Sequence, residues 1–276
     1  MLDAWQRETD LATPELYAMH WRDGDARGVA SLEKLDAAFE KVMREARDAV
    51  VGEGAPAVWS VYNMGYVVKT RETMFSIDLV HRRAPELAPL LDFALITHNH
   101  SDHWRQDFYR AMDRAGKTVV SNFLDNYGAA DWRKGGKLWH ESGGYIRGVK
   151  DFRIGDVEIR TSLTDHNDYL VDFTTAFEIR TGGFRIYHTG DSGKGSEPKL
   201  SPCMGRPDLW LFFPGCGIDV AAAVQRVGAR RVVFGHLWEL GHAMGRLTAP
   251  MIRRALEAAR PHCKDVSFAL WGDRIA

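Results

Sequence analysis

The alternation of hydrophobic and polar positions changes period several times along this chain, and each change marks an element. Residues 31–50 repeat at three- and four-residue steps. Leu32, Leu35, Phe39, Val42 and Ala46 are apolar, with Glu33, Lys34, Glu40, Lys41, Arg44 and Glu45 between them. This is the stripe of an amphipathic helix, which Gly52 and Gly54 are expected to stop. From about residue 56 the pattern shortens to β-rich runs at 58–62, 65–69 and 74–77, the last leading into Asp78. Residues 93–97 read as a strand, 104–115 as a helix ending at Gly116, and 118–120 as another strand. A second batch of strands follows at 152–154, 157–160, 175–181 and 184–188, the last two joined by a Gly182-Gly183 hairpin turn. Then come a buried strand at 209–213, a helix at 219–227, a strand at 232–234, a helix at 248–260 capped by Thr248, and a final strand at 266–271.

Two batches of strands, each finished by helices, predict an α/β fold in which two mixed sheets pack together with helices outside, a four-layer αββα sandwich. Residues 1–55 are expected to form an N-terminal helical extension and 56–276 the main domain. The apolar face of the 31–50 helix packs on that domain or on a second copy, which would make a homo-oligomer.

Composition narrows the class. The 276 residues are 45% hydrophobic and 26% charged, enough for one large soluble domain with a substantial core. With 36 basic against 37 acidic residues there is no concentrated basic footprint, so no nucleic-acid partner is expected. The polar first residues are not a secretory signal, and no apolar run reaches the roughly 18–20 residues that span a bilayer. Cys203, Cys216 and Cys263 form no CxxC pair. That favours a cytoplasmic protein over a disulfide framework. Cys216, in the turn Pro214-Gly215-Cys216-Gly217, could line a pocket but reads first as a packed structural thiol.

The candidate chemistry sits in His98-Asn99-His100-Ser101-Asp102-His103, which places three of the 11 histidines and a carboxylate within six residues after a strand. Imidazole and carboxylate suit zinc, manganese or iron. In extended chain His98 and His100 point the same way, whereas adjacent Asp102 and His103 diverge, which suggests a second cation beside the first. His166, Asp191 and His236 each lie at a strand exit beside small residues, where loops commonly carry site residues.

With these residues in this order, the chain resembles the metallo-β-lactamase-fold hydrolase superfamily over about residues 56–240. HxHxDH, here His98 to His103, is the signature of that superfamily. The ending Val232-Val233-Phe234-Gly235-His236-Leu237-Trp238 is similar to the branch of ascorbate-phosphate lactonase-like and N-acylphosphatidylethanolamine phospholipase D-like proteins. The resemblance implies two divalent cations, zinc first, with manganese or iron also compatible. His98, His100 and His166 would hold one, Asp102, His103 and His236 the other, and Asp191 would bridge them. It also implies that Asp78 orders the site loops without binding metal.

The implied activity is hydrolysis of a small-molecule ester, lactone or phosphodiester by a metal-bridging hydroxide, with Asp102 as catalytic acid–base. The alternatives are a non-catalytic metal-binding module and a di-iron oxidoreductase of the same fold. His100 stands where the redox branch carries Glu, which argues for hydrolysis. His242, Trp104 and Trp238 are candidate substrate contacts. Lys194 and Lys199 are candidates to meet an anionic group, and His188 is expected to support the site from the core.

Overall fold

In the computed structural model of the protein, the described residues are 2–3, 28–121, 137–139, 149–237 and 247–276. Helix α1 (Ala30–Asp48) buries Leu32, Leu35, Phe39, Val42 and Ala46, the five positions of the predicted stripe. It ends at Asp48, and Ala49 is already extended, so the chain turns before Gly52 is reached. The stop comes from docking: Lys69 Nζ donates to Ala46 O at 2.7 Å, and Trp59 Nε1 donates to Glu45 at 2.9 Å.

The first sheet runs β1 (Ala57–Tyr62), β2 (Gly65–Lys69), β3 (Met74–Ile77), β4 (Phe93–Leu95), β5 (Thr118–Val120) and β6 (Lys137–Trp139), in that spatial order. β1–β3 pair antiparallel and β3–β6 parallel. β6 falls in a stretch that the sequence pattern leaves as loop. Between β4 and β5 lies α2 (Gln106–Arg114), whose buried face is Phe108, Tyr109 and Met112.

The second sheet contains β7 (Lys150–Ile154), β8 (Val157–Thr164), β9 (Thr174–Thr181), β10 (Phe184–His188), β11 (Leu209–Phe212), β12 (Arg231–Phe234) and β13 (Asp265–Phe268). β7 to β10 pair antiparallel, and β10 to β13 parallel. Gly182 and Gly183 both have positive φ (54° and 82°), as the primed turn of the β9–β10 hairpin requires. Two helices join the parallel strands. α3 (Val220–Val227) is capped by Asp219, which accepts from Ala222 N–H at 3.0 Å, and α4 is Ala249–Ala259. Thr248 stands at the N-cap of α4 in extended conformation, but its side chain makes no cap bond.

Both sheets and α1 share one apolar core. The C-terminal tail closes it by pairing with β1, through Val58 N–H to Ala276 O and Ile275 N–H to Val58 O. This covers an edge that would otherwise invite strand addition. In each sheet the parallel strands end on the same side, so loops leaving β3, β4, β8, β10, β11 and β12 converge there. Thr175 N–H donates to Thr97 O across the two sheets at this point.

Candidate metal centre

Each predicted ligand occupies one of those converging loops. His98 to His103 follow β4, His166 follows β8, Asp191 follows β10 and His236 follows β12. The structure brings them together as two groups, His98 with His100 and His166, and Asp102 with His103, Asp191 and His236. Within each group the ligand atoms lie no more than 4.8 Å apart. Asp191 faces both groups: Oδ2 is 3.7 Å from His166 Nε2 and 3.4 Å from His236 Nε2, and Oδ1 is 3.2 Å from His103 Nε2. Asp102 Oδ2 lies 3.0 Å from His236 Nε2 and 3.6 Å from His103 Nε2.

Asp78 aims two of the histidines. It sits just past β3 with φ of 43°, a conformation a non-glycine residue rarely adopts outside constrained sites. Its carboxylate accepts from Thr97 N–H (2.8 Å), from Thr97 Oγ1–H (2.6 Å) and from His103 Nδ1–H (2.8 Å). The Thr97 hydroxyl, having given its proton to Asp78, accepts from His98 Nδ1–H at 3.0 Å. By accepting, directly from His103 and through Thr97 from His98, one buried carboxylate therefore keeps a proton on Nδ1 of both rings and turns both Nε2 atoms inward.

The turn that presents Asp191 needs glycine. Gly190 has φ of 50°, and a Cβ there would lie 2.7 Å from Thr97 and 2.8 Å from Thr174. Its N–H donates to His188 Nδ1 at 3.2 Å, so His188 carries its proton on Nε2 and gives it to Met64 O at 3.1 Å. His188 thus positions the Asp191 turn from the core. His236 has φ of 58°, anchors its N–H on Asn63 O at 3.0 Å and stacks on Phe213 at 4.3 Å.

The donor set fits divalent cations. Nε2 of His98, His103 and His166 and Oδ1 of Asp191 are buried and make no hydrogen bond. In the neutral ring, with its proton on Nδ1, the 3.2 Å approach of His103 to Asp191 brings a lone pair toward the carboxylate, and only a cation or a second proton on Nε2 relieves it. Buried acceptors facing one another have lost their hydration, and a cation among them compensates the loss.

The charges agree. Burial disfavours a charge on His103, yet Asp191, Asp102 and Asp78 outweigh it and hold the ring well above its ordinary value. Burial also opposes charge on Asp191, but His103 and His236 hold its carboxyl well below the usual range. Away from the carboxylates, burial and then His166 and His103 bring His100 down to about 4, keeping it a neutral donor.

The other candidates divide. Trp104 donates from Nε1 to Asn99 O at 2.9 Å, bracing the ligand loop. Trp238 and His242 lie outside the described residues, as does most of the 122–147 segment. Lys194 pairs with Asp168 at 2.7 Å, and Lys199 reaches Asp165 (2.5 Å) and Asp172 (2.6 Å), so both stitch the His166 loop. Sequence reasoning missed Phe173, whose ring lies 5.7, 5.3 and 6.0 Å from those of His98, His100 and His166. Set among polar loop residues, it carries no periodic signal. Cys216 stands beside His166 and Asp191.

The profile of the beta-lactamase superfamily domain matches residues 61–229, more than half of the chain. The chain belongs to the beta-lactamase superfamily. A UPF0173 metal-dependent hydrolase of Rubrobacter xylanophilus is 28% identical over 159 residues, 53% of this chain and 64% of that protein. The chain thus spans less than two thirds of that relative's length. Among solved structures, Igni18, a metallo hydrolase from Ignicoccus hospitalis, aligns with TM-score 0.60 at 19% identity over 80% of this chain and 98% of its own. CmlA, a diiron β-hydroxylase from Streptomyces venezuelae, aligns with TM-score 0.57 at 16% identity over 87% of this chain and 58% of its own. At such identities the likeness shows the fold alone, and the same superfamily fold serves both chemistries. No helix among the described residues is long and apolar enough to cross a membrane.

Proposed function

We propose that this protein is a dinuclear metal-dependent hydrolase of a small-molecule ester, lactone or phosphodiester. The observation that carries the reading is the convergence of seven donors, with Asp191 set between the two groups and with inward ring nitrogens that no protein group satisfies. Two divalent cations, zinc first by donor type, would supply an activated water and a Lewis acid for the scissile group. His98, His100 and His166 would hold one, Asp102, His103 and His236 the other, and Asp191 both.

The chain's own side chains do the rest. Asp78 keeps His98 and His103 in the donor tautomer, so that binding a cation moves no proton within the ring. Asp102, held through Oδ2 near His236 and His103, would take the proton that the attacking water gives up and pass it to the leaving group. Phe173 excludes water on the side of His98, His100 and His166 and offers an apolar surface to the substrate. The name of the Rubrobacter relative supports hydrolysis, as does His100 at the position where the redox branch carries Glu.

The test compares metal-loaded and chelated protein on a lactone and on a bis-aryl phosphodiester. Metal-dependent turnover of either supports hydrolysis and selects the bond. Iron retention with a visible absorption band and no turnover moves the reading to redox chemistry.

A further inference from the structure

Cys216 lies outside the ligand set proposed above, and neither the composition nor the turn around it explains its position. Its Sγ, a ligand nitrogen of His166 and a carboxylate oxygen of Asp191 all lie within 4.8 Å of one another. His166, only 8% exposed, leaves Nε2 without a hydrogen bond, 3.7 Å from Asp191 Oδ2. The three segments are locked together. Lys194 N–H donates to Cys216 O at 2.9 Å, and Gly193 N–H donates to Asp165 O at 2.8 Å. A Cβ on Gly193 would fall 2.0 Å from His166 O and 2.7 Å from Cys216 Cβ.

Cys216 also has φ of 50°, in the left-handed region, between Gly215 and Gly217. A side chain is thus carried at a position where glycine would sit without strain. Asp78 and His236, which also build the site, have the same backbone sign. The other two thiols are elsewhere: Cys203 is exposed, and Cys263 is buried with Sγ against Ala229 O and Arg230 O.

We propose that Cys216 is an eighth donor, a thiolate to the cation held by His166 and Asp191. The proposal rests on the dinuclear reading above. As sulfur binds, the thiol proton leaves to solvent and a metal–sulfur bond forms. Beside His166 and Asp191, the sulfur would add a soft donor of a kind zinc accepts. A soft ligand there makes the site select zinc, cobalt or cadmium over manganese, which prefers oxygen.

The test uses the full chain, stripped with chelator and loaded with cobalt(II), beside Cys216→Ser and Cys203→Ser. Elemental analysis counts the cobalt, and absorption reports sulfur ligation. The expected result is two equivalents with a sulfur-to-cobalt charge-transfer band in the near ultraviolet, lost in Cys216→Ser and kept in Cys203→Ser. Two bound cobalts without that band, or a band that survives in Cys216→Ser, overturns the thiolate and leaves the dinuclear site standing. Failure to bind cobalt overturns both. Should Cys216→Ser not fold, alkylation of the unaltered protein decides. Cadmium is expected to protect Cys216 from iodoacetamide while Cys203 still reacts, and equal reaction of Cys216 with and without cadmium overturns the proposal.

Discussion

His81 and His103 are both completely buried, and both lie against an aspartate. At His81 the ring is enclosed by protein. Nδ1 accepts the Arg83 backbone N–H at 3.0 Å, Nε2 lies 3.4 Å from Asp36, and the ring stacks on Phe39 at 4.1 Å, nearly parallel. At His103 only Nδ1 is engaged, by Asp78, while Nε2 looks toward Asp191 and Asp102 without a hydrogen bond. Their surroundings push in opposite directions. Burial, with Arg82 and Arg83 nearby, outweighs Asp36 and holds His81 below its ordinary value, whereas the carboxylates around His103 raise it. Burial of an imidazole therefore does not mark a ligand. What marks it is where the second nitrogen points, and what charge gathers there. One histidine docks α1; the other faces a site built for cations.

The comparison breaks most visibly at Asp102. Asp102→Asn, assayed with cation in excess so that its sites are filled, should lower kcat/KM by about 10²- to 10⁴-fold, the usual worth of a placed acid–base group. Steady-state rates beside elemental analysis check it, and full activity would remove Asp102 from the chemistry. On the docking side, Phe39→Ala removes the ring beneath His81 and should cost about 3–5 kcal/mol of stability, read from urea unfolding. A loss under about 1 kcal/mol would mean that α1 adds little to the shared core.

Asp78→Asn should weaken cation affinity about 10- to 100-fold while the protein stays folded, since it disturbs the ring tautomers and not the donors. Competition with a chelating dye measures that, and unchanged affinity would make Asp78 a purely structural residue.

The smallest effect is a pH dependence of the α1 interface. His81 has a folded value below 6.5, so the unfolded chain takes up a proton first as pH falls. The stability that neutral His81 contributes is full above about 6.5 and is lost as pH drops below it. Asp36 is lowered from 3.8 to about 2. Burial works against that shift, but the hydrogen bonds from His81 and Arg82 prevail. Its contribution is present above 3.8 and is lost as pH falls toward 2. The urea midpoint should fall from pH 7 to 5, and fall less in His81→Gln. Parallel curves would show that His81 does not set the dependence.

Much of this was legible in the chain. The stripe on α1, the β-rich runs and the HxHxDH cluster are local signals, and local period is what sequence reveals best. Boundaries moved where tertiary bonds decide them. β8 extends to Thr164 because β9 offers it a partner along its whole length, and the helix ends at Asp48 because β1 and β2 hold it. The site was legible as a list of candidate donors, four after β4 and one each after β8, β10 and β12. Its supporting layer was only partly so: the resemblance gave Asp78, but the path from Asp78 through Thr97 to His98 is a matter of angles. Phe173 was not legible as a neighbour of the ligands, and Cys216 was legible only as a residue that could line a pocket. Each is a single residue in an irregular loop, brought to the ligands by contacts between strands distant in sequence. Trp104, a candidate substrate contact by its place after the motif, donates its indole N–H to Asn99 O.

The central claim is a two-cation site shared through Asp191, and metal stoichiometry tests it most directly. Zinc is titrated calorimetrically into chelator-stripped protein and into a variant lacking His98, His100 and His166. The account predicts two equivalents for the first and one for the second, since Asp102, His103, Asp191 and His236 still form a complete group. No binding, or the same stoichiometry in both proteins, would contradict it.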